Sequence, residues 1–208
     1  MDEQLFLQKI TTAFQSSLPG IDAHKLLTPR KRPLKREEIE DISAYRESSV
    51  AVVCFPVDEK IHTIIIQRPQ YEGSHGGQIS FPGGKMEPSD LNLEHTARRE
   101  TKEEIGWELN DSHFLGELTE LFIPVSLFSV HPFLYLCEEQ PFIPDQREVA
   151  EIIHFPIEKL LESEIVKTID LPYSNGMKLK DVPYFDIENK VVWGATAIIL
   201  SELRELLK

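Results

Sequence analysis

Three glutamates, Glu100, Glu103 and Glu104, crowd a stretch that reads as one helix. At about 3.6 residues per turn, their i, i+3, i+4 spacing puts all three carboxylates on one face. Like charges so placed repel one another, and the last helical turn already presents the negative end of the dipole. Arg99, four residues before Glu103, and Lys102 offset only part of this. A hard divalent cation such as magnesium, which takes carboxylate oxygens, would relieve the rest. Just upstream, Phe81-Pro82-Gly83-Gly84 is a tight turn, where glycine supplies backbone angles that other residues resist. Asp90 or Asn92 can cap the helix start, and Gly106 suits the position just past its end. A solvated acidic face would explain the charges alone. It would not explain the glycine turn fused to them.

Gly84, Arg99-Glu100, Glu103-Glu104 and Gly106-Trp107 together resemble the Nudix box, a glycine and a spaced glutamate followed by Arg-Glu-x-x-Glu-Glu-x-Gly and an apolar residue. The stretch from Gly84 to Arg99 is one residue longer than the commonest form, so Asp90 stands about where the early glutamate falls. That lengthening is similar to the coenzyme A pyrophosphatase branch of the family. The branch is also marked by a run before the box, which this chain matches at Ile64, Ile65, Arg68, Gly77 and Phe81-Pro82-Gly83-Gly84. Ile66, Pro69 and Gly73 stand where that run has Thr, Ser and Arg; His75 fits it. Ser126–Phe133 and Pro183–Ala197 resemble later segments of the same branch.

The resemblance implies an α/β fold, the Nudix-type α/β/α sandwich with a mixed central sheet. It implies Mg2+ or Mn2+ held chiefly by Glu100 and Glu104, with Glu103 as a third ligand and Arg99 orienting the glutamates. One incompletely engaged carboxylate would take the proton of the attacking water, and Glu103, Glu148 and Glu151 are all candidates. Arg68, Gly83 and Gly84 are the expected substrate contacts. The reaction implied is hydrolysis of a pyrophosphate bond in a small-molecule nucleotide, with coenzyme A or an acyl derivative split to 3′,5′-ADP and a 4′-phosphopantetheine. The same chemistry on ADP-ribose, a dinucleotide or a nucleoside triphosphate is the first alternative. A nucleotide-binding module without activity is the second.

The frame that must position these groups reads as alternating strands and helices in one layered domain. Residues 3–16 form an amphipathic helix ended by Pro19-Gly20, and a basic-then-acidic linker over 29–41 completes an N-terminal portion, 1–47. The domain proper, 48–208, opens with strands at Ser49–Pro56 and Ile61–Gln67 about a turn at Asp58-Glu59-Lys60. Strands follow at Phe114–Ile123, His131–Cys137 and Arg147–Phe155, with a polar loop over 138–146. A short helix covers Ile157–Leu161, and a hairpin turns at Glu188-Asn189 between Met177–Ile187 and Lys190–Trp193. A last amphipathic helix runs from Gly194 to Leu207.

The 208 residues are 41% hydrophobic and 27% charged, an ordinary globular balance. A net charge of −13 argues against nucleic acid as a partner. No apolar run approaches the roughly 20 residues that span a bilayer, so no membrane partner is expected and the cytoplasm is the default. A homodimer is left open. Two cysteines, Cys54 and Cys137, lie in apolar stretches and read as buried free thiols. With no Cys-x-x-Cys and no His-Glu-x-x-His, a zinc site finds no support in these patterns.

Overall fold

Strand β1, Arg46–Val57, is the spine of the molecule, because its apolar residues are buried on both faces. It runs antiparallel to β2 (Lys60–Gln67) through a turn in which Asp58 and Glu59 adopt φ of +46° and +63°. Such left-handed pairs match the twist of the flanking strands. The computed structural model describes residues 1–29, 34–70, 76–172 and 178–208. The expectations resting on Gly73, His75, Met177 and the basic run 30–33 lie outside these residues.

Further along β1, β4 (Gly83–Lys85) pairs antiparallel, while β3 (Ile79–Ser80) pairs with β2. On its other side β1 runs parallel to β7 (Phe128–Leu136), which in turn pairs antiparallel with β5 (Phe114–Glu117) and β6 (Leu121–Ile123). The strand β8 (Glu151–Pro156) closes the far side of β2. One parallel pair among antiparallel ones makes the sheet mixed, as the sequence suggests. Helix α3, Leu93–Ile105, covers one face, where Ala51, Val53 and Phe55 meet Ala97, Ile105 and Trp107. Helices α1 (Glu3–Gln15), α2 (Gly20–Leu26) and α4 (Gly194–Leu206) lie on the other face. So does a smaller sheet of β9 (Val166–Pro172), β10 (Lys178–Ile187) and β11 (Lys190–Val192). The result is the α/β/α sandwich.

Several boundaries differ from the sequence reading. The expected strand Phe114–Ile123 is two strands, β5 and β6. Between them Leu118 buries its side chain and Thr119 turns toward α4. The expected strand Arg147–Phe155 begins only at Glu151, because residues 145–149 form a turn closed by Glu148 and Val149 amides on the Asp145 carbonyl. Helix α2 and strand β9 carry no strong apolar period and escaped notice. Both cysteines are free and buried, as expected.

The N-terminal helices join the same core, through Phe6, Ile10 and Leu27. A buried polar staple fixes them. Glu202 on α4 is fully buried; its carboxylate accepts hydrogen bonds from the Gly20 amide at 3.2 Å and from Thr119 Oγ1 at 2.7 Å, and meets His24 Nε2 at 3.1 Å. Burial alone would raise the Glu202 pKa, but the donors of His24 and Thr119 outweigh it and hold the carboxyl below its usual value. Glu202→Gln should therefore lower stability by about 2 kcal/mol near neutral pH. A depressed carboxyl contributes stability above its unfolded pKa and loses it as pH falls through the folded one. The gap between parent and variant should thus hold from about pH 7 to about pH 5 and narrow only as pH falls below about 4.3 in urea melts, and a gap that stays constant below that would refute the ionised staple.

Candidate active site

Asn92 starts α3 with its side chain accepting the His95 amide at 2.7 Å, and Gly106 ends it at φ +80°. Between these caps the helix presents Glu100 and Glu104 to β4. Glu104 is 1% exposed, and its Oε2 accepts the Gly83 amide at 2.8 Å. On the other oxygen, Arg68 approaches only to 3.5 Å. Burial pushes the Glu104 carboxyl up to about 8, with Gly83 and Arg68 only partly opposing it and Glu100 and Glu148 reinforcing it. Glu100 is raised for the same first reason, against the pull of Arg99.

The third carboxylate comes from far along the chain. Ligand oxygens of Glu100, Glu104 and Glu148 all lie within 4.8 Å of one another. Glu148 reaches this point because its loop is stitched to the end of α3, with the Ile143 amide on the Ile105 carbonyl at 2.9 Å and the Asp145 amide on the Glu104 carbonyl at 3.1 Å. The Ala150 amide then joins the Gln67 carbonyl at 2.8 Å, carrying the chain into β8.

The remaining candidates are placed as follows. Glu103 lies outside this triad, on the exposed side of α3, 3.0 Å from Arg99. Glu151 also lies outside it, 2.6 Å from Lys190 Nζ, a partner that the sequence does not reveal. Arg99 touches Glu100 at 2.9 Å and is itself gripped by buried Asp90, which faces its Nε at 2.9 Å and Nη2 at 3.0 Å. These bonds from Arg99 hold the Asp90 carboxyl far below the usual range despite burial, aided by the Glu87 amide, Thr96 and His95. Asp90 is thus an anchor for Arg99, a role missed by the sequence reading, although its place in the motif was the signal.

A divalent cation fits this donor set. Three carboxylates converge with no cation closer to Glu104 than the 3.5 Å of Arg68, among the described residues. They offer hard oxygen ligands only. Room is kept by Gly84, where a Cβ would stand 2.3 Å from Glu100 Oε1. At Gly83, φ of +155° and a Cβ position 2.3 Å from the Ser49 carbonyl leave glycine alone tolerable.

A helix-flanked mixed sheet with acidic groups converging at the end of one helix defines a hydrolase module built to act with a divalent metal ion. Residues 47–173 match the NUDIX domain, and the chain belongs to that family. It is 31% identical over 157 residues to the uncharacterized Nudix hydrolase NudL of Yersinia pestis (strain Pestoides F), covering 75% of this chain and 76% of the relative. The same figures hold for NudL of Yersinia pseudotuberculosis serotype O:1b. Among solved structures, a MutT/nudix family protein from Enterococcus faecalis superposes with a TM-score of 0.57 at 17% identity, over 96% of this chain and 73% of that one. The NUDIX domain of Shewanella oneidensis NrtR, complexed with ADP ribose, gives 0.54 at 13% identity, over 84% and 94%. Both show likeness of fold. The chain is a metal-assisted pyrophosphate hydrolase for a nucleotide-derived substrate. Among the described residues no helix is long and apolar enough to cross a membrane.

Two substitutions test the geometry. Gly84→Ala must push the Glu100 carboxylate aside and should cut turnover about a hundredfold while the protein still unfolds cooperatively; unchanged turnover would remove Glu100 from the site. Glu104→Gln deletes a buried charge, so in chelator at about pH 9 it should melt above the parent, yet lose at least about a hundredfold in turnover. A raised KM with the maximal rate intact would deny Glu104 a part in the chemistry.

Proposed function

We propose that the chain hydrolyses the pyrophosphate bond of coenzyme A or an acyl derivative, releasing 3′,5′-ADP and the corresponding 4′-phosphopantetheine. The observation that carries the hydrolytic part is the meeting of Glu100, Glu104 and Glu148 at one point. The choice of coenzyme A is supported by the likeness of Ile64, Ile65, Arg68, Gly77 and Phe81–Gly84, and of Pro183–Ala197, to that branch.

Glu100 and Glu104 are the groups that would hold Mg2+ or Mn2+. When bound, the ion neutralises pyrophosphate charge and lowers the pKa of water. Glu148, the exposed member of the triad, is the carboxylate best placed to take the proton from the attacking water. Glu103 and Glu151 are the other two candidates; Arg99 and Lys190 engage them. The water oxygen then bonds to phosphorus as the anhydride oxygen departs with the second phosphate. Arg99, fixed by Asp90, keeps Glu100 turned toward the triad. Arg68, next to Glu104, whose other oxygen accepts the Gly83 amide at the start of β4, supplies positive charge for a substrate phosphate. A cavity of about 420 Å³ against Pro144, Gln146, Val149 and Ile152 flanks the segment carrying Glu148 and offers space to a non-reacting part of the substrate.

ADP-ribose is the second reading, favoured by the fold likeness to the NrtR domain complexed with that ligand. A panel of coenzyme A, acetyl-coenzyme A, ADP-ribose, dinucleotides and nucleoside triphosphates with Mg2+ or Mn2+ decides between them. Coenzyme A or its acetyl derivative should show the highest kcat/KM, with 3′,5′-ADP as product. ADP-ribose turnover far above both would replace the favoured substrate, and binding across the panel with no turnover would leave a nucleotide-binding module.

A further inference from the structure

A second group of donors lies on the α3 side of the sheet, outside the triad. His131 on β7 has Nδ1 2.8 Å from Glu117 Oε1, while its Nε2 stands 3.1 Å from Glu47 Oε2, 3.5 Å from Glu120 Oε1 and 3.4 Å from Ser129 Oγ. Ligand atoms of Glu47, Glu120 and His131 all fall within 4.8 Å of one another. A neutral imidazole has one proton to give. If Nδ1–H is donated to Glu117, the Nε2 lone pair faces carboxylate oxygens, and the Ser129 hydroxyl is already donated to Glu120. Acceptors then point at acceptors, which either a second ring proton or a metal ion between them would relieve.

An independent observation comes from Ser49. It is 0% exposed, and among the described residues its Oγ has no hydrogen-bond partner. In the parallel β1–β7 ladder Ser49 is the register partner of His131. Their side chains therefore leave the same face of the sheet as neighbours, and Glu47, two residues back on β1, shares that face. Ser49 thus stands beside His131 across the ladder and two residues from Glu47 on the same face, with its hydroxyl buried and unpartnered among the described residues.

We propose that Glu47, Glu120 and His131 form a second cation site, distinct from the triad, that takes a borderline divalent transition-metal ion such as zinc or cobalt. Glu117 holds the ring tautomer from outside, the usual arrangement behind a metal-binding imidazole. The nitrogen ligand separates this site from the all-oxygen triad, which suits magnesium. Arg36, 45% exposed, rests 2.5 Å from Glu120 Oε1 and 3.7 Å from Glu47 Oε1, and competes with the ion for these oxygens. A bound ion would tie β1 to the β5–β6 connection and to β7. It would thereby brace Ser49, which pairs with Gly84 under Glu100.

The test is a cobalt titration of Glu100→Gln/Glu104→Gln protein, read by visible absorption and calorimetry. The unmodified protein saturated with Mg2+ gives the same readout with no substitution. One cobalt ion should bind per chain and resist displacement by Mg2+. His131→Gln and Glu47→Gln should each weaken it at least about a hundredfold, and Glu117→Gln about 10–100-fold. Arg36→Ala should tighten it. Absence of cobalt uptake in both proteins would leave His131 as the charged centre of a closed ion network and overturn the proposal. So would uptake that survives His131→Gln, which would place the ion elsewhere, as at His62 and His154 with Nδ1 atoms 3.2 Å apart.

Discussion

The molecule is arranged about an electrostatic conflict: a carboxylate, Glu104, held out of water with a backbone amide as its closest donor. An ionised group in that position is costly unless countercharge arrives. Among the described residues the nearest cation, Arg68, stops at 3.5 Å, while Glu100 and Glu148 add negative charge. The fold therefore stores an affinity for positive charge at one point. That affinity is what a phosphoanhydride hydrolase needs, since its substrate is itself anionic and cannot approach bare carboxylates.

Everything nearby limits how that conflict can relax. Glu100 cannot retreat from the triad without breaking its contact with Arg99, which Asp90 grips by two nitrogens. Gly84 lies so close to Glu100 on the helix that no side chain fits between them, and Gly83 lies as close to the β1 backbone at Ser49 and Val50. Behind β4, β1 is packed on both faces, so the strand cannot yield. Rigid elements on every side convert a helix-surface cluster into a site with fixed spacing.

Most of this frame could be read from local chemistry. Asn92 and Gly106 mark the ends of α3 through rules that act within a few residues, and they held. The turns at Asp58-Glu59 and Glu188-Asn189 were found although each places two non-glycine residues at positive φ, because the flanking alternation framed them. What escaped depends on partners distant in sequence. Helix α2 is seven residues long and is held by Glu202 and Ser201 of α4. The break between β5 and β6 follows from Thr119 reaching the same Glu202. Within the site, Glu148 could be nominated from sequence, but its union with Glu100 and Glu104 depends on bonds between the 143–149 loop and the end of α3. No local pattern encodes those bonds.

That loop has a mechanical implication of its own. Phe142 stacks on Trp107 with centroids 4.9 Å apart, Gln140 exchanges hydrogen bonds with the Glu108 backbone, and Ile143 sits where any Cβ on Gly106 would collide. Residues 140–145 are therefore a stiff extension of the helix and not a hinged flap. Whatever gating accompanies entry and departure of the nucleotide must be sought on another rim of the cleft, and transplanting the helix into a different scaffold would need this segment carried along with it.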